Sequence, residues 1–95
     1  MVIHRDATIG DGCLIGSGVT IGGRSMKTTG EVPQIGDNVR IGSGAKILGG
    51  VRIGNNVLIG ANAVVTEDIP DNCIAVGIPA TIVRRDIDID EYRDW

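Results

Sequence analysis

Aromatic residues are nearly missing from this sequence: there is no Phe, and one Trp and one Tyr make up 2% of 95 residues. Small domains ordinarily lean on such side chains because each buries a large area from a single position, so a core built around an aromatic centre is excluded. Basic charge is also scarce. Nine Lys and Arg against twelve Asp and Glu give a net charge of -3, which leaves no basic stripe to neutralise a phosphate backbone and argues against a nucleic-acid partner. No apolar run approaches the roughly 18 residues of a membrane span, and the stretch Met1 to Asp6 turns polar too early for a signal peptide. A cytoplasmic protein with no membrane span is expected. Cys13 and Cys73 lie far apart with no CxxC spacing, so both are read as reduced core residues. A single histidine, His4, cannot furnish a three-histidine zinc site, and no metal is expected.

What is present is Ile, Val and fifteen Gly, in a chain long enough for one domain only. Aliphatic residues recur every six positions at Ile3, Ile9, Ile15 and Ile21, then at Ile35, Ile41, Ile47, Ile53, Ile59 and Val65. Gly follows at Gly10, Gly16, Gly22, Gly36, Gly42, Gly54 and Gly60, and a small or β-branched residue stands four after the aliphatic one at Ala7, Val19, Val39, Ala45, Val51, Val57 and Ala63. At 100° per residue a helix would turn the apolar position by about 240° per step and scatter it over three directions. A long strand fails too, because Gly or Asn interrupts it every few residues. Short strands separated by regular turns satisfy the pattern, which makes the chain an all-β solenoid.

The [Ile/Val]-Gly-x-x-[small]-x hexad resembles the hexapeptide repeat of left-handed β-helix acyltransferases. The resemblance implies a single-stranded left-handed parallel β-helix, a hexapeptide-repeat solenoid in which three hexads make one triangular coil. The left hand rests on the resemblance alone, since most parallel crossovers are right-handed. Val19-Thr20-Ile21-Gly22-Gly23, a polar loop ending in Pro33, Ile41-Gly42-Ser43-Gly44-Ala45-Lys46-Ile47-Leu48-Gly49, and Val76-Gly77-Ile78-Pro79-Ala80 are similar in order and spacing to serine acetyltransferases and polysaccharide O-acetyltransferases. The domain is expected over 1–85, with one protruding loop near 22–34 and an acidic C-terminal tail over 86–95. Ile21 to Ile35 is fourteen residues, two more than two hexads, and this expels the loop; the alternating Ile and Asp of the tail read as an edge strand or a frayed end.

The resemblance further implies an acetyl-CoA-dependent O-acetyltransferase acting as a homotrimer, with acetyl-CoA in the groove between two parallel prisms. The pantetheine arm maps onto Gly44, Ala45 and Ala63, and the adenosine end onto Gly77, Ile78, Pro79 and Ala80. Lys46, Arg84 and Arg85 are candidates to neutralise its phosphates, and the loop residues Arg24, Lys27 and Glu31 are candidates to meet the acceptor.

Acyl transfer to a hydroxyl needs a general base, and the family uses a histidine. Aligning Val19 to Gly23 puts the family's Asp-His pair ahead of Met1; matching Ile3-His4 to an earlier family hexad puts it on Gly16-Ser17 instead. His4 is thus read either as the base or as a polar turn residue, and the chain is expected to be an acetyltransferase lacking the family histidine. The family's second histidine, before the loop proline, is replaced by Val32, which favours a sugar or other small-molecule hydroxyl over serine as acceptor. The alternative is a non-catalytic CoA-binding or structural β-solenoid trimer.

Overall fold

An aliphatic residue at every sixth position can stay inside only if the chain changes direction at each turn and closes on itself after a few of them. The computed structural model, which describes residues 1–23 and 32–92, closes after three. Its strands are β1 (Val2–Ile3), β2 (Thr8–Ile9), β3 (Leu14–Ile15), β4 (Thr20–Gly22), β5 (Gln34–Ile35), β6 (Arg40–Ile41), β7 (Lys46–Leu48), β8 (Arg52–Ile53), β9 (Leu58–Ile59), β10 (Val64–Val65), β11 (Ile74–Gly77) and β12 (Ala80–Arg84). They form a left-handed β-helix with three faces. Face A is the order β1-β4-β7-β10, face B is β2-β5-β8, and face C is β3-β6-β9-β11 with β12 added antiparallel. No helix among the described residues is long and apolar enough to cross a membrane.

Parallel pairing stacks the hexads into ladders. Ile21 sits over Ile3 and under Ile47, and Ile47 under Val65. Ile35 and Ile53 continue the ladder on face B, and Ile41, Ile59 and Ala75 on face C. Ile21, Ile41, Ile47, Ile53 and Ile59 are fully buried, and each such side chain contributes roughly 1.5–3 kcal/mol relative to exposure. The small residues four positions on, among them Val39, Ala45, Val57 and Ala63, point into the same core. Ile3, on the first rung described, is 39% exposed, whereas Ile21 directly above is at 0%.

Register departs from the six-residue rule on one edge only, the one joining face A to face B. Val2 pairs with Thr20 eighteen positions on, but Thr20 pairs with Lys46 twenty-six positions on, so the insertion there is eight residues rather than the two counted by hexads. Ile21 and Ile35 occupy successive faces, with one corner between them. In the last coil Ile53 pairs with Ile69, sixteen positions on, and Leu58 with Ile74 at the same interval. The repeat therefore continues past Val65 through Ile69 and Ala75, shortened by two residues. Residues 24–31, including Arg24, Lys27 and Glu31, lie outside the described residues.

The edge joining B to C is held by side chains. The N–H groups of Asp11, Asp37 and Asn55 donate to the Oδ1 atoms of Asp37, Asn55 and Asp71 in the next coil, at 2.8, 2.8 and 2.7 Å. Each of these side chains lies across a glycine of the coil before, which explains the Gly after the aliphatic residue: it is needed for space. A Cβ on Gly36 would collide with Asn55 Oδ1 and stand 2.9 Å from the Gly54 carbonyl oxygen. The left-handed backbone falls two positions later, at Asn38, Asn56 and Asn72, with φ of 55°, 58° and 58°; asparagine tolerates that region better than other side chains.

Among its described residues the tail forms no edge strand. A short 3-10 helix, Ile89–Tyr92, puts Ile89 against Leu58 and Ile74 on the outside of face C, with Ile87 and Tyr92 packed beside it.

Gly36→Ala should lower unfolding free energy by about 1–3 kcal/mol through overpacking. Gly22→Ala, whose added Cβ meets nothing within 4 Å among the described atoms, should stay within about 0.5 kcal/mol. Urea denaturation of the two variants beside the parent checks the contrast.

Candidate functional site

The edge joining face C to face A is built from the turns Ser17-Gly18, Ser43-Gly44 and Ala61-Asn62, one per coil. Gly18, Gly44 and Asn62 have positive φ, 71°, 77° and 59°, so each turn aims its peptide groups along the prism. The Gly44 N–H donates to the Ser17 carbonyl and the Asn62 N–H to the Ser43 carbonyl, both at 2.9 Å. Ala45 and Ala63, next in sequence, are at 0% and 1% exposure, and their carbonyls accept from the N–H groups of Thr20 and Lys46 at 3.0 and 2.8 Å. Their side chains and carbonyls are therefore spent on the coil, and the outer surface of this edge belongs to the Gly44 and Asn62 turns. Lys46 projects from face A beside it, with Nζ 3.5 Å from the Gly44 carbonyl oxygen that it contacts.

The hairpin β11–β12 completes the edge. Val76 Cγ1 stands 2.7 Å from where a Gly60 Cβ would be, so only glycine there lets β11 close down. This sets the turn Gly77-Ile78-Pro79-Ala80 above Ala61–Ala63. The turn contains a cis Ile78–Pro79 bond and Gly77 at φ 100°, and leaves Ile78 74% exposed. Gly44, Ala45, Lys46, Ala63, Gly77 and Pro79 thus share one edge.

Arg84 and Arg85 do not. Arg84 pairs with Ile74, at the far end of β11 from Gly77, and its Nη1 donates to the Tyr92 hydroxyl at 3.2 Å. The hairpin carries the chain back across face C, so these arginines stand beside the opposite edge. Sequence order alone does not reveal that reversal.

His4 occupies the A-to-B edge of the first coil, directly below the root of the loop. Its N–H donates to the Ile21 carbonyl at 2.7 Å, and the Thr8 N–H donates to the Pro33 carbonyl at 3.2 Å. The imidazole is exposed, and its Nδ1 accepts from the Asp6 N–H at 3.1 Å. A nitrogen that accepts a hydrogen bond carries no proton, so in the neutral ring the proton sits on Nε2. In that tautomer Nε2 is a donor, the reverse of what a base presents to an acceptor hydroxyl.

Two further sets of residues were missed in the sequence. Asn62 and Val76 contribute to the C-to-A edge, and Thr8, Gln34 and Arg52 line up on the outside of face B. The signal for the second set was available: each immediately precedes an aliphatic residue of the repeat, and alternation puts that neighbour outside.

Comparison with known proteins agrees with this architecture. A family model described as "Bacterial transferase hexapeptide (six repeats)" matches residues 33–67, and one described as "Hexapeptide repeat of succinyl-transferase" matches residues 7–23. A serine acetyltransferase of Synechococcus elongatus is 46% identical over 85 residues, covering 90% of this chain and 35% of that protein. The crystal structure of serine acetyltransferase from Brucella abortus strain S19 superposes with a TM-score of 0.84 at 36% identity, covering 90% of this chain and 34% of the other. A second structure of that enzyme is a complex with coenzyme A, at a TM-score of 0.75 and 31% identity, covering 87% of this chain and 41% of the other. A maltose O-acetyltransferase from Clostridium difficile 630 gives 0.74 at 37% identity, covering 86% and 49%. The chain spans about a third of the length of the serine acetyltransferase of S. elongatus.

Long-range proton-nitrogen correlation spectra of the neutral imidazole should show His4 as the Nε2–H tautomer; His4 in the Nδ1–H form would remove the contact with Asp6.

Proposed function

Because this chain belongs to the hexapeptide-repeat family of bacterial transferases and is related to serine acetyltransferase, we propose that it is the acetyl-CoA-binding β-helix of an O-acetyltransferase whose acceptor is a sugar or other small-molecule hydroxyl. The observation that carries the reading is the C-to-A edge: three stacked turns, an exposed lysine beside them and the Gly77–Pro79 turn at their end form one continuous strip. An extended ligand with a polar arm fits such a strip. The outer surface of the Gly44 and Asn62 turns, whose N–H groups are bonded to the coil before, faces the arm, Lys46 meets phosphate as a point charge, and exposed Ile78 offers an apolar surface for the base. Arg84 and Arg85 have no part in it.

A homotrimer goes with this reading. For transfer, the acetyl carbon and the acceptor oxygen must come within about 3–3.5 Å. In one prism the C-to-A edge lies opposite face B and away from the loop corner, and the described molecule is 21 to 23 Å across its two short axes. The donor strip of one copy therefore needs the loop corner of another, and a cyclic assembly of parallel prisms supplies it while burying flat faces. A cytoplasmic setting, where acetyl-CoA is made and free thiols such as Cys13 and Cys73 stay reduced, accompanies the same reading.

The contact of His4 with Asp6 favours a second reading, in which this chain binds acetyl-CoA without turning it over. Activity on a sugar panel separates the two: acetylation that survives His4→Ala takes His4 out of the reaction, and acetylation that is lost with acetyl-CoA affinity intact restores it as base.

Sedimentation should give three times the 9.9 kDa chain mass, and calorimetry should give saturable acetyl-CoA binding. Lys46→Ala is expected to weaken that binding about two- to fivefold, the size of one exposed charge contact, whereas Arg84→Ala leaves it unchanged. An intact trimer that ignores millimolar acetyl-CoA would refute the reading.

A further inference from the structure

Face B carries a feature that the donor strip does not use. Its outer surface is a groove running across the coils, one part of about 350 Å³ between Thr8, Gln34 and Arg52, and a second of about 290 Å³ reaching Asp68 and Pro70. The two share Arg52, Gly54 and Asp71, and so form one trough with Arg52 in its middle.

The floor is flat by necessity. Gly36 and Gly54 lie under the side chains of Asn55 and Asp71, and a Cβ on Gly54 would stand 2.6 Å from the Asp71 backbone nitrogen, so no side chain can rise there. The rim is polar and mixed in sign. Arg52 Nη2 donates to Gln34 Oε1 at 3.4 Å, and the Arg52 backbone N–H is held by Asp68 Oδ1 at 2.8 Å, so the arginine is fixed from both ends of its residue. Asp71 uses Oδ1 on the Asn55 N–H, and among the described residues no hydrogen bond engages its second oxygen.

These features exclude two ligand classes. The carboxylates of Asp68 and Asp71 line the same trough as Arg52 and disfavour a phosphate or nucleotide, and the polar rim disfavours a purely apolar molecule. A neutral ring bearing several hydroxyls has the complementary pattern, being flat enough for the shallow floor and rich in donors and acceptors for the rim. Neighbouring hydroxyls match the parallel N–H donors of a guanidinium and the two oxygens of a carboxylate.

We propose that this trough is a saccharide-binding site with Arg52 as its central hydrogen-bonding residue, and that it selects the acceptor. The assignment as acceptor site rests on the acetyltransferase reading; the saccharide site itself does not.

The test uses the full chain, labelled with nitrogen-15 and titrated with maltose, N-acetylglucosamine and, separately, acetyl-CoA. At least one saccharide should shift the amides of Gly36 and Gly54 saturably, and Arg52→Ala should weaken that binding at least tenfold while leaving acetyl-CoA affinity intact. Gln34→Ala should weaken it less. Saccharide binding unaffected by Arg52→Ala, or shifts confined to other faces, would overturn the assignment. Acetyl-CoA binding with no response to either saccharide overturns the trough and leaves the acetyltransferase reading standing; the opposite result supports the trough and removes that reading.

Discussion

Every coil of this molecule has to come down directly above the one before it. Main-chain bonds between coils hold only while each residue faces its counterpart, and a slip by one position would turn the Ile ladder out of the core. The chain defends this register twice: with peptide hydrogen bonds on all three faces, and with the Asp37–Asn55–Asp71 series, whose side chains reach back across the B-to-C edge. The rest follows from it. Glycine stands where those side chains cross, asparagine takes the left-handed position beside them, and a core without Phe becomes dense because identical residues stack on one another.

Much of this was legible in the sequence because the constraint repeats at short range. Ile at every sixth position and Gly after it are the local imprint of a coil, and they located the core, while the resemblance to hexapeptide-repeat acyltransferases supplied the triangular coil and pointed to Gly44, Lys46, Ala63 and Gly77–Pro79. What escaped depends on closure over longer separations. Counting hexads from Ile21 to Ile35 gives an excess of two residues, whereas pairing gives eight, because the pairing of Thr20 with Lys46 decides which face Ile35 joins. Ile69 and Ala75 were not seen as rungs, since the two-residue shortening before them erases the period. Arg84 and Arg85 were grouped with Lys46 because nothing local announces that β12 runs back beside β11. His4 could be singled out as a titratable residue, but its role turns on a contact with the Asp6 backbone two residues away.

The three edges divide the work. The turns of the C-to-A edge carry only short side chains, Ser, Gly, Ala and Asn, which on the proposed reading suits a long ligand lying along it. The B-to-C edge is given over to holding register, and at its upper end the tail anchors Ile89 on Leu58 and Ile74. Donor strip and face B sit on opposite sides of one narrow prism, so on the proposed reading chemistry belongs to an assembly and not to a single chain. On that reading a domain so small is specific because each copy offers two different surfaces and a neighbour supplies the facing half.

The A-to-B edge is the only one where coils differ in length: the interval between rungs is six residues at Ile3 to Ile9, fourteen at Ile21 to Ile35, six at Ile47 to Ile53 and four at Val65 to Ile69. It is a seam. Material can be let in or taken out there without disturbing the other two edges, much as a garment is altered along one stitched side. A lineage of such proteins can therefore change what it recognises by lengthening a single corner, keeping its scaffold and the opposite strip unaltered, and a designer wishing to graft a peptide has Gly49–Gly50 on that same seam.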